Sequence, residues 1–113
     1  MSASELARKH CIPCTAATPA ITGKALEDMR RMLGGDWRVV NGQRLEKSYS
    51  FTNFAEALAF TNRVGAIAEA EGHHPDISLG WGKVALTIWT HAINGLSEAD
   101  FILAAKADEA FSD

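Results

Sequence analysis

The stretch Trp37–Phe51, WRVVNGQRLEKSYSF, predicts a β-hairpin. Its centre, Asn41-Gly42, favours a two-residue turn because both residue types readily adopt positive φ. After the turn, apolar side chains alternate with polar ones, so that Leu45, Tyr49 and Phe51 share one face of a strand. This alternation is typical of an antiparallel strand with one buried face and one face toward water.

Helical patterns flank the hairpin on both sides. Thr22 offers an N-cap for a helix through about Leu33. After the hairpin, Asn53 begins a helix that we expect to run to about Glu71, with Gly72 supplying its left-handed C-terminal turn. Both segments carry apolar residues at the spacing of a helix with one buried side.

A second strand pair and a third helix complete the pattern. Ile77–Gly80 and Lys83–Thr90 predict the strands, and Ser97 precedes the last helix. The order α-β-β-α-β-β-α indicates an α+β fold, with a four-stranded antiparallel sheet and helices packed on one face. We assign residues 1–21 to an N-terminal arm and residues 22–113 to the domain. Because the other sheet face and the sheet edges are uncovered, we expect oligomerisation through the sheet.

Composition and charge exclude several classes of function. The 113 residues suffice for one domain, and a net charge of −3 with scattered cations argues against a nucleic-acid partner. No apolar run approaches the roughly 20 residues of a membrane span, and the N-terminus MSASELARKH lacks the apolar segment of a signal peptide. We therefore expect a cytoplasmic protein without membrane association.

The N-terminal arm contains the cysteine pair Cys11 and Cys14. A structural disulfide is not expected in a reducing cytosol. The C-x-x-C pair alone supplies half of a zinc site, and His10 as a third ligand would still leave it incomplete. We favour a peripheral segment without a catalytic role over a redox pair or a partial metal site.

Three of the four histidines are placed to meet at one end of the sheet. His73 and His74 precede the third strand, and His91 ends the fourth. Because a short turn joins these strands, the start of one lies beside the end of the other, which should bring His74 and His91 within reach. If the alternation continues, His91 shares the sheet face of Thr87 and Trp89, opposite the helices.

Such a cluster fits three interpretations. Imidazoles are suited to proton transfer because their unperturbed pKa is near 6.5. They also bind zinc, for which Glu69 and Asp76 are further candidate ligands. In the third interpretation the histidines are surface or core polar groups without a chemical role. A histidine pair fixed by Pro75, with a distant histidine at a strand end, favours a chemical function.

The same residues resemble the signature of the pterin-4a-carbinolamine dehydratase family. That signature is an acidic residue, a His-His-Pro triplet, an aromatic residue, a histidine and an aspartate at set spacings. In this chain the matching residues are Glu69, His73-His74-Pro75, Trp81, His91 and Asp100. The similarity extends over most of the chain, from about Leu26 through Ala107.

The resemblance implies a dehydratase that needs no cofactor and no metal. Its members remove water from 4a-hydroxytetrahydrobiopterin, the product of a pterin-dependent aromatic amino-acid hydroxylase, and so return quinonoid dihydropterin for recycling. They are homodimers or homotetramers, and their fold has the same order of elements.

The family's catalytic positions correspond here to His73, His74, His91 and Glu69. We expect His74 and His91 to transfer protons and His73 to bind and position the substrate. Glu69 would orient a histidine or stabilise its charged form.

The resemblance also implies substrate contacts outside these four residues, at Gly72, Trp81, Trp89 and Thr90. The two tryptophans would wall the site, or alternatively pack at a subunit contact. Well-known members have aspartate at the position of Gly72 and a small polar residue at the position of Trp89. These departures put the affinity for the pterin, or the choice of pterin, in question.

A second function class shares the fold. Animal members of the family also bind a transcription factor, so a non-catalytic pterin-binding or dimerisation module is the alternative. The complete set of histidines favours catalysis, because binding alone would not need it.

Overall fold

The structure, a computed structural model, describes residues 2–112. Within them the helices are α1 (Ala3–Arg8), α2 (Gly23–Leu33), α3 (Phe54–Glu71) and α4 (Glu98–Ser112). The strands are β1 (Arg38–Val40), β2 (Arg44–Ser50), β3 (Asp76–Gly80) and β4 (Lys83–Ile88). The predicted α+β fold is confirmed, and α1 adds a helix within the segment predicted as an arm. No helix of the described chain is long and apolar enough to cross a membrane.

The strands form one antiparallel sheet in the order β1-β2-β4-β3. The two hairpins therefore join through their second strands, with Leu45 opposite Ile88 and Tyr49 opposite Val84. These four side chains are buried in the core between the sheet and the helices. The predicted turn is present, with φ of 54° at Asn41 and 67° at Gly42.

Helix α3 carries the first part of the site and has the predicted ends. At its start the Asn53 side chain accepts a hydrogen bond from Glu56 N at 2.9 Å. At its end Gly72 adopts φ 65° and ψ 28°, a left-handed conformation that favours glycine. The chain therefore turns sharply just before the histidine pair.

Strand β4 is shorter than predicted, because it ends at Ile88 and not at Thr90. Thr90 N instead donates to Gly95 O at 2.8 Å, and a 3-10 turn at His91–Ile93 follows. The chain folds back on itself here, so His91 belongs to a turn and not to the strand. Its ring still lies with Trp89.

The N-terminal arm is attached to the domain at both ends. Leu6 of α1 is fully buried in the core, and the Lys106 ammonium of α4 donates to Ala7 O at 2.7 Å. At the other end Ile21 N donates to Leu96 O at 2.8 Å. Residues 9–21 therefore cross the surface of the domain between two fixed points.

The middle of the arm is held by Glu71, the last residue of α3. Its carboxylate accepts from Cys11 N at 2.7 Å and lies 3.0 Å from His10 Nδ1. Burial opposes ionisation of Glu71, but these hydrogen bonds and the Lys106 charge outweigh it and hold its pKa below the ordinary value. Burial, with the Glu71 charge adding to it, raises the pKa of the Cys11 thiol to about 12.

Candidate active site

His73 and Asp100 form the buried centre of the site. The Gly72 turn directs His73 into the protein, where its Nε2 lies 2.6 Å from Asp100 Oδ1. Both side chains are buried, and the Asp100 side chain is completely so. A carboxylate at this distance fixes the orientation of the imidazole and its tautomer.

The second carboxylate oxygen of Asp100 also accepts hydrogen bonds. Oδ2 accepts from the Thr90 hydroxyl at 2.7 Å and from Ser97 N at 2.8 Å. The Thr90 and Ser97 hydroxyls are themselves 2.8 Å apart. Asp100 therefore ties the start of α4, the end of the fourth-strand region and His73 into one rigid unit.

His74 makes a separate pair on the surface. Its Nε2 lies 2.7 Å from Glu69 Oε2, one turn back on α3. Both side chains are exposed, at 59% and 79% respectively, so water screens this pair. Glu69 therefore contacts one of the three histidines directly.

His91 packs against Trp89, with the two ring planes inclined at 49°. Its ring centroid lies 4.1 Å from that of Trp89, and the Arg44 guanidinium covers the Trp89 ring at 4.4 Å. Guanidinium groups are attracted to indole faces, so Arg44 holds Trp89 in place behind His91. Within residues 2–112 the His91 ring makes no hydrogen bond, although the His91 carbonyl accepts from Asn94 N at 3.2 Å. Both ring nitrogens are therefore available to a ligand.

The three histidines share one cavity of about 290 Å³, which we name the histidine cavity. Its lining residues are Cys14, Gly72, His73, His74, Thr90, His91 and Ala92. This volume is close to the roughly 300 Å³ at which small-molecule sites begin. His74 and His91, which precede β3 and follow β4 respectively, both line this cavity.

The remaining sequence-predicted residues are distributed differently. Glu69 reaches the site through His74, and Trp89 stands behind His91. Trp81 is 71% exposed in the turn between β3 and β4. That turn is at the other end of the hairpin, with the five residues of β3, roughly 16 Å of strand, between it and the histidine pair. Trp81 does not line the histidine cavity of its own chain.

Sequence reasoning missed three members of the site. Asp100 was part of the signature but was given no site role, although it holds His73 directly. Ser97 and Cys14 enter only through the fold: Ser97 because it precedes α4, and Cys14 because the arm crosses the site. Of these three residues, only Asp100 had a signal in the sequence, because it is the aspartate of the family signature.

The described residues around the site do not include a grouped set of metal ligands. In the part of the chain that the structure describes, no three histidine, cysteine, aspartate or glutamate side chains are grouped to hold an ion. His73 and His74 each pair with a different carboxylate, that of Asp100 and that of Glu69 respectively.

Comparison with known proteins identifies the family of this site. The model of the pterin 4 alpha carbinolamine dehydratase family matches residues 19–110. The chain belongs to this family. The match includes the complete histidine cavity except Cys14, which precedes the matched segment.

Relatives across most of the chain agree with this assignment. Two proteins, each named "Putative pterin-4-alpha-carbinolamine dehydratase", are similar to the chain. That of Rubrobacter xylanophilus is 51% identical over 93% of this chain and 97% of its own. That of Alkaliphilus metalliredigens is 48% identical over 94% of this chain and 96% of its own. The family name thus supports a pterin dehydratase.

Two solved structures share the fold. One is a transcriptional coactivator/pterin dehydratase from Brucella melitensis, with TM-score 0.76 and 29% identity over 81% of this chain and 98% of that one. The other is a pterin dehydratase-like RuBisCO assembly factor of the alpha-carboxysome, with TM-score 0.58 and 28% identity over 67% of this chain and 89% of that one. The pterin-4a-carbinolamine dehydratase fold therefore also occurs in proteins described by other roles.

Proposed function

We propose that this protein dehydrates 4a-hydroxytetrahydropterin to quinonoid dihydropterin by histidine acid/base catalysis. The observation that carries the proposal is the convergence of His73, His74 and His91 on one cavity. Each imidazole has a different environment there: one is buried against Asp100, one is exposed against Glu69 and one packs at an angle against Trp89.

The reaction needs two proton transfers. The bond between C4a and the hydroxyl oxygen breaks, and a proton from a general acid turns the departing hydroxide into water. N5 loses its proton to a general base, and its electron pair forms the double bond to C4a. One water leaves for each substrate, and no oxidant or reductant is consumed. Groups that titrate near neutral pH serve both steps.

His74 and His91 are the residues we assign to these transfers. His74 acts as the base at N5, because Glu69 stabilises the positive imidazolium that forms. His91 acts as the acid at the hydroxyl, because its nitrogens have no partner among residues 2–112 to compete with the substrate. Both rings reach solvent, so the two protons return to their starting positions through water.

His73 has a positioning role in this scheme. Its Nε2 is engaged by Asp100, and both groups are buried. Only Nδ1 remains for the substrate, as a hydrogen-bonding contact of fixed direction. Thr90, in the same hydrogen-bonded unit, lines the cavity beside it.

The proposed biological setting is the recycling of tetrahydropterin behind a pterin-dependent hydroxylase. The proposed assembly is a homodimer or homotetramer formed through the sheet, whose open face carries small and polar side chains such as Ser48, Ser78 and Ala85. Light scattering of the purified protein tests the assembly, and a monomer at micromolar concentration would contradict it.

The activity is tested with freshly generated 4a-hydroxytetrahydropterin, whose decay is followed by ultraviolet absorbance. We expect acceleration by the wild-type protein, with and without a chelator. His74→Ala and His91→Ala should each lower kcat by about 10²–10⁴-fold, the usual contribution of a general acid or base. Lys83→Ala, an exposed change at the far end of the hairpin, serves as the control.

Two results would contradict the proposal. If the folded wild-type protein does not accelerate decay of the substrate, the interaction-module alternative is favoured. The coactivator and assembly-factor relatives point to that alternative. Acceleration that persists in both histidine variants would place the chemistry elsewhere.

A further inference from the structure

A cavity between helices α3 and α4, beside the end of β2, has no role in the scheme above. Its volume is about 280 Å³, close to the roughly 300 Å³ at which small-molecule sites begin. Its lining residues are Phe51, Glu56, Ala59, Arg63 and Phe111, and we name it the Arg63 cavity. It shares no lining residue with the histidine cavity.

The Arg63 cavity lies at the end of the sheet away from the histidines. Phe51 N donates to Gly82 O at 2.8 Å, and Gly82 belongs to the turn between β3 and β4. The histidine pair precedes the opposite end of β3. A ligand in the Arg63 cavity therefore does not compete with a pterin at the histidines.

Arg63 is a half-buried cation whose guanidinium is only partly used within the protein. Its Nε donates to Ala110 O at 3.2 Å, and its guanidinium carbon lies 5.7 Å from the centroid of the Phe60 ring. Within residues 2–112 it forms no ion pair and no other hydrogen bond. The bond to Ala110 uses one N–H and leaves the Nη1 and Nη2 groups, which can donate in parallel to a carboxylate.

Aromatic rings form the apolar wall of the same cavity. The ring centroids of Phe51 and Phe111 are 5.5 Å apart at an interplanar angle of 80°. Both rings pack on the buried Phe60, at 5.3 and 5.8 Å. Phe111 is nevertheless 43% exposed. A ligand ring placed against it would extend the cluster in the offset or edge-to-face arrangements that aromatic rings favour.

We propose that the Arg63 cavity binds a small aromatic monocarboxylate. The carboxylate accepts from the Nη1 and Nη2 groups of Arg63, and the ring packs against Phe51 and Phe111. Glu56 lies two turns before Arg63 on α3 and lines the same cavity, so it would repel a second negative charge on the ligand. One Glu56 oxygen accepts from Thr52 N at 3.3 Å, which holds the carboxylate at that end of the cavity.

Binding is tested by titration calorimetry of the 113-residue chain with 3-phenylpropionate. The comparison ligands are 3-phenylpropanol, which lacks the charged acceptor, and propionate, which lacks the ring. We expect 3-phenylpropionate to bind at least about tenfold more tightly than either, because each comparison ligand loses one of the two contacts. Phenylsuccinate, which carries a second carboxylate, should bind more weakly than 3-phenylpropionate.

Substitutions of the two charged residues locate the ligand. Arg63→Gln should weaken binding of 3-phenylpropionate at least about tenfold, and Arg63→Lys should weaken it less, because it keeps the charge and loses the parallel donors. Glu56→Gln should reduce the discrimination against phenylsuccinate. Arg38→Gln, an exposed change on β1, is the matched control and should leave binding unchanged. Thermal unfolding shows that each variant is folded.

Backbone NMR shifts of the wild-type protein give a second readout that depends on no variant. We expect 3-phenylpropionate to shift the resonances of Ala59, Arg63 and Phe111 and to leave those of His73 and His91 unchanged. Equal binding of 3-phenylpropionate and 3-phenylpropanol, no binding at millimolar ligand, or shifts confined to the histidine cavity would overturn the inference. Unchanged affinity in a folded Arg63→Gln would overturn it as well. None of these outcomes depends on whether the protein dehydrates a pterin.

Discussion

His73 Nε2 lies 2.6 Å from Asp100 Oδ1, although 27 residues separate the two in the chain. The contact joins the end of α3 to the first turn of α4, and the same carboxylate holds Thr90 and Ser97. One buried acid thus fixes the relative positions of three segments around the histidine cavity.

Asp100→Asn should lower kcat by about 10–100-fold, because loss of the charged acceptor lets His73 and its neighbours shift from their positions. The KM should change less than kcat. The measurement is steady-state dehydration, with thermal unfolding to monitor stability.

Asp108→Asn is the matched control for that change. Asp108 is also on α4 and accepts from Tyr49 at 2.6 Å and from Trp37 at 2.9 Å, away from the histidines. It should lower stability while kcat of the folded fraction stays near that of the wild type. An equal fall in kcat for both variants would show that Asp100 acts only through stability.

Glu69→Gln should lower kcat by less than about tenfold, because an exposed ion pair contributes at most about 1 kcal/mol. Raising the ionic strength should lower the kcat of the wild-type enzyme toward that of Glu69→Gln, because salt screens the ion pair. Kinetics at low and high salt test this. A loss as large as that of His74→Ala would mean that Glu69 itself contacts the reacting atoms.

Trp89→Ser should lower kcat several-fold, since the ring that supports His91 from behind is removed and Arg44 loses its cation–π contact of about 0.5–1 kcal/mol. Trp81→Ala is the comparison, because Trp81 lies in the far turn. In a single chain, Trp81→Ala should leave kcat unchanged. If Trp81→Ala also lowers kcat, light scattering will show whether it does so by disrupting an oligomer.

Cys11 should be alkylated far more slowly in the native protein than in the denatured chain at pH 8. Its pKa is raised from 9.0 to about 12, mainly by burial, so the thiolate fraction falls by at least about 100-fold. Mass spectrometry of quenched alkylation reactions measures this rate. Glu71→Gln should accelerate the reaction, because a negative charge is removed and the arm is held less tightly; an unchanged rate would contradict the contact.

The sign of the pH effect on stability follows from the same shift. The folded state binds the Cys11 proton more tightly than the unfolded state does. Its contribution to stability is complete below pH 9 and is lost as the pH rises toward about 12. Cys11→Ala should flatten the alkaline part of the stability curve, which chemical unfolding at several pH values would show.

Much of the local structure was fixed by short-range preferences. Asn41-Gly42 specifies a turn because both residues accept positive φ, and Asn53 and Gly72 specify the ends of α3 for similar local reasons. Alternation identified the buried face of β2. These signals depend on backbone dihedral angles and on periodicity within a few residues, so they can be read without knowing the fold.

Tertiary packing decided the contacts between distant segments, which no local sequence signal predicts. The pairing of β2 with β4, the burial of Leu6 and the crossing of Cys14 over the site all depend on contacts between distant parts of the chain. The sequence by itself determined that three histidines meet at one end of a sheet. Only the tertiary structure decided that Asp100 holds one of them and that Trp81 lies away from the cavity, because such contacts minimise the free energy of the whole packed core.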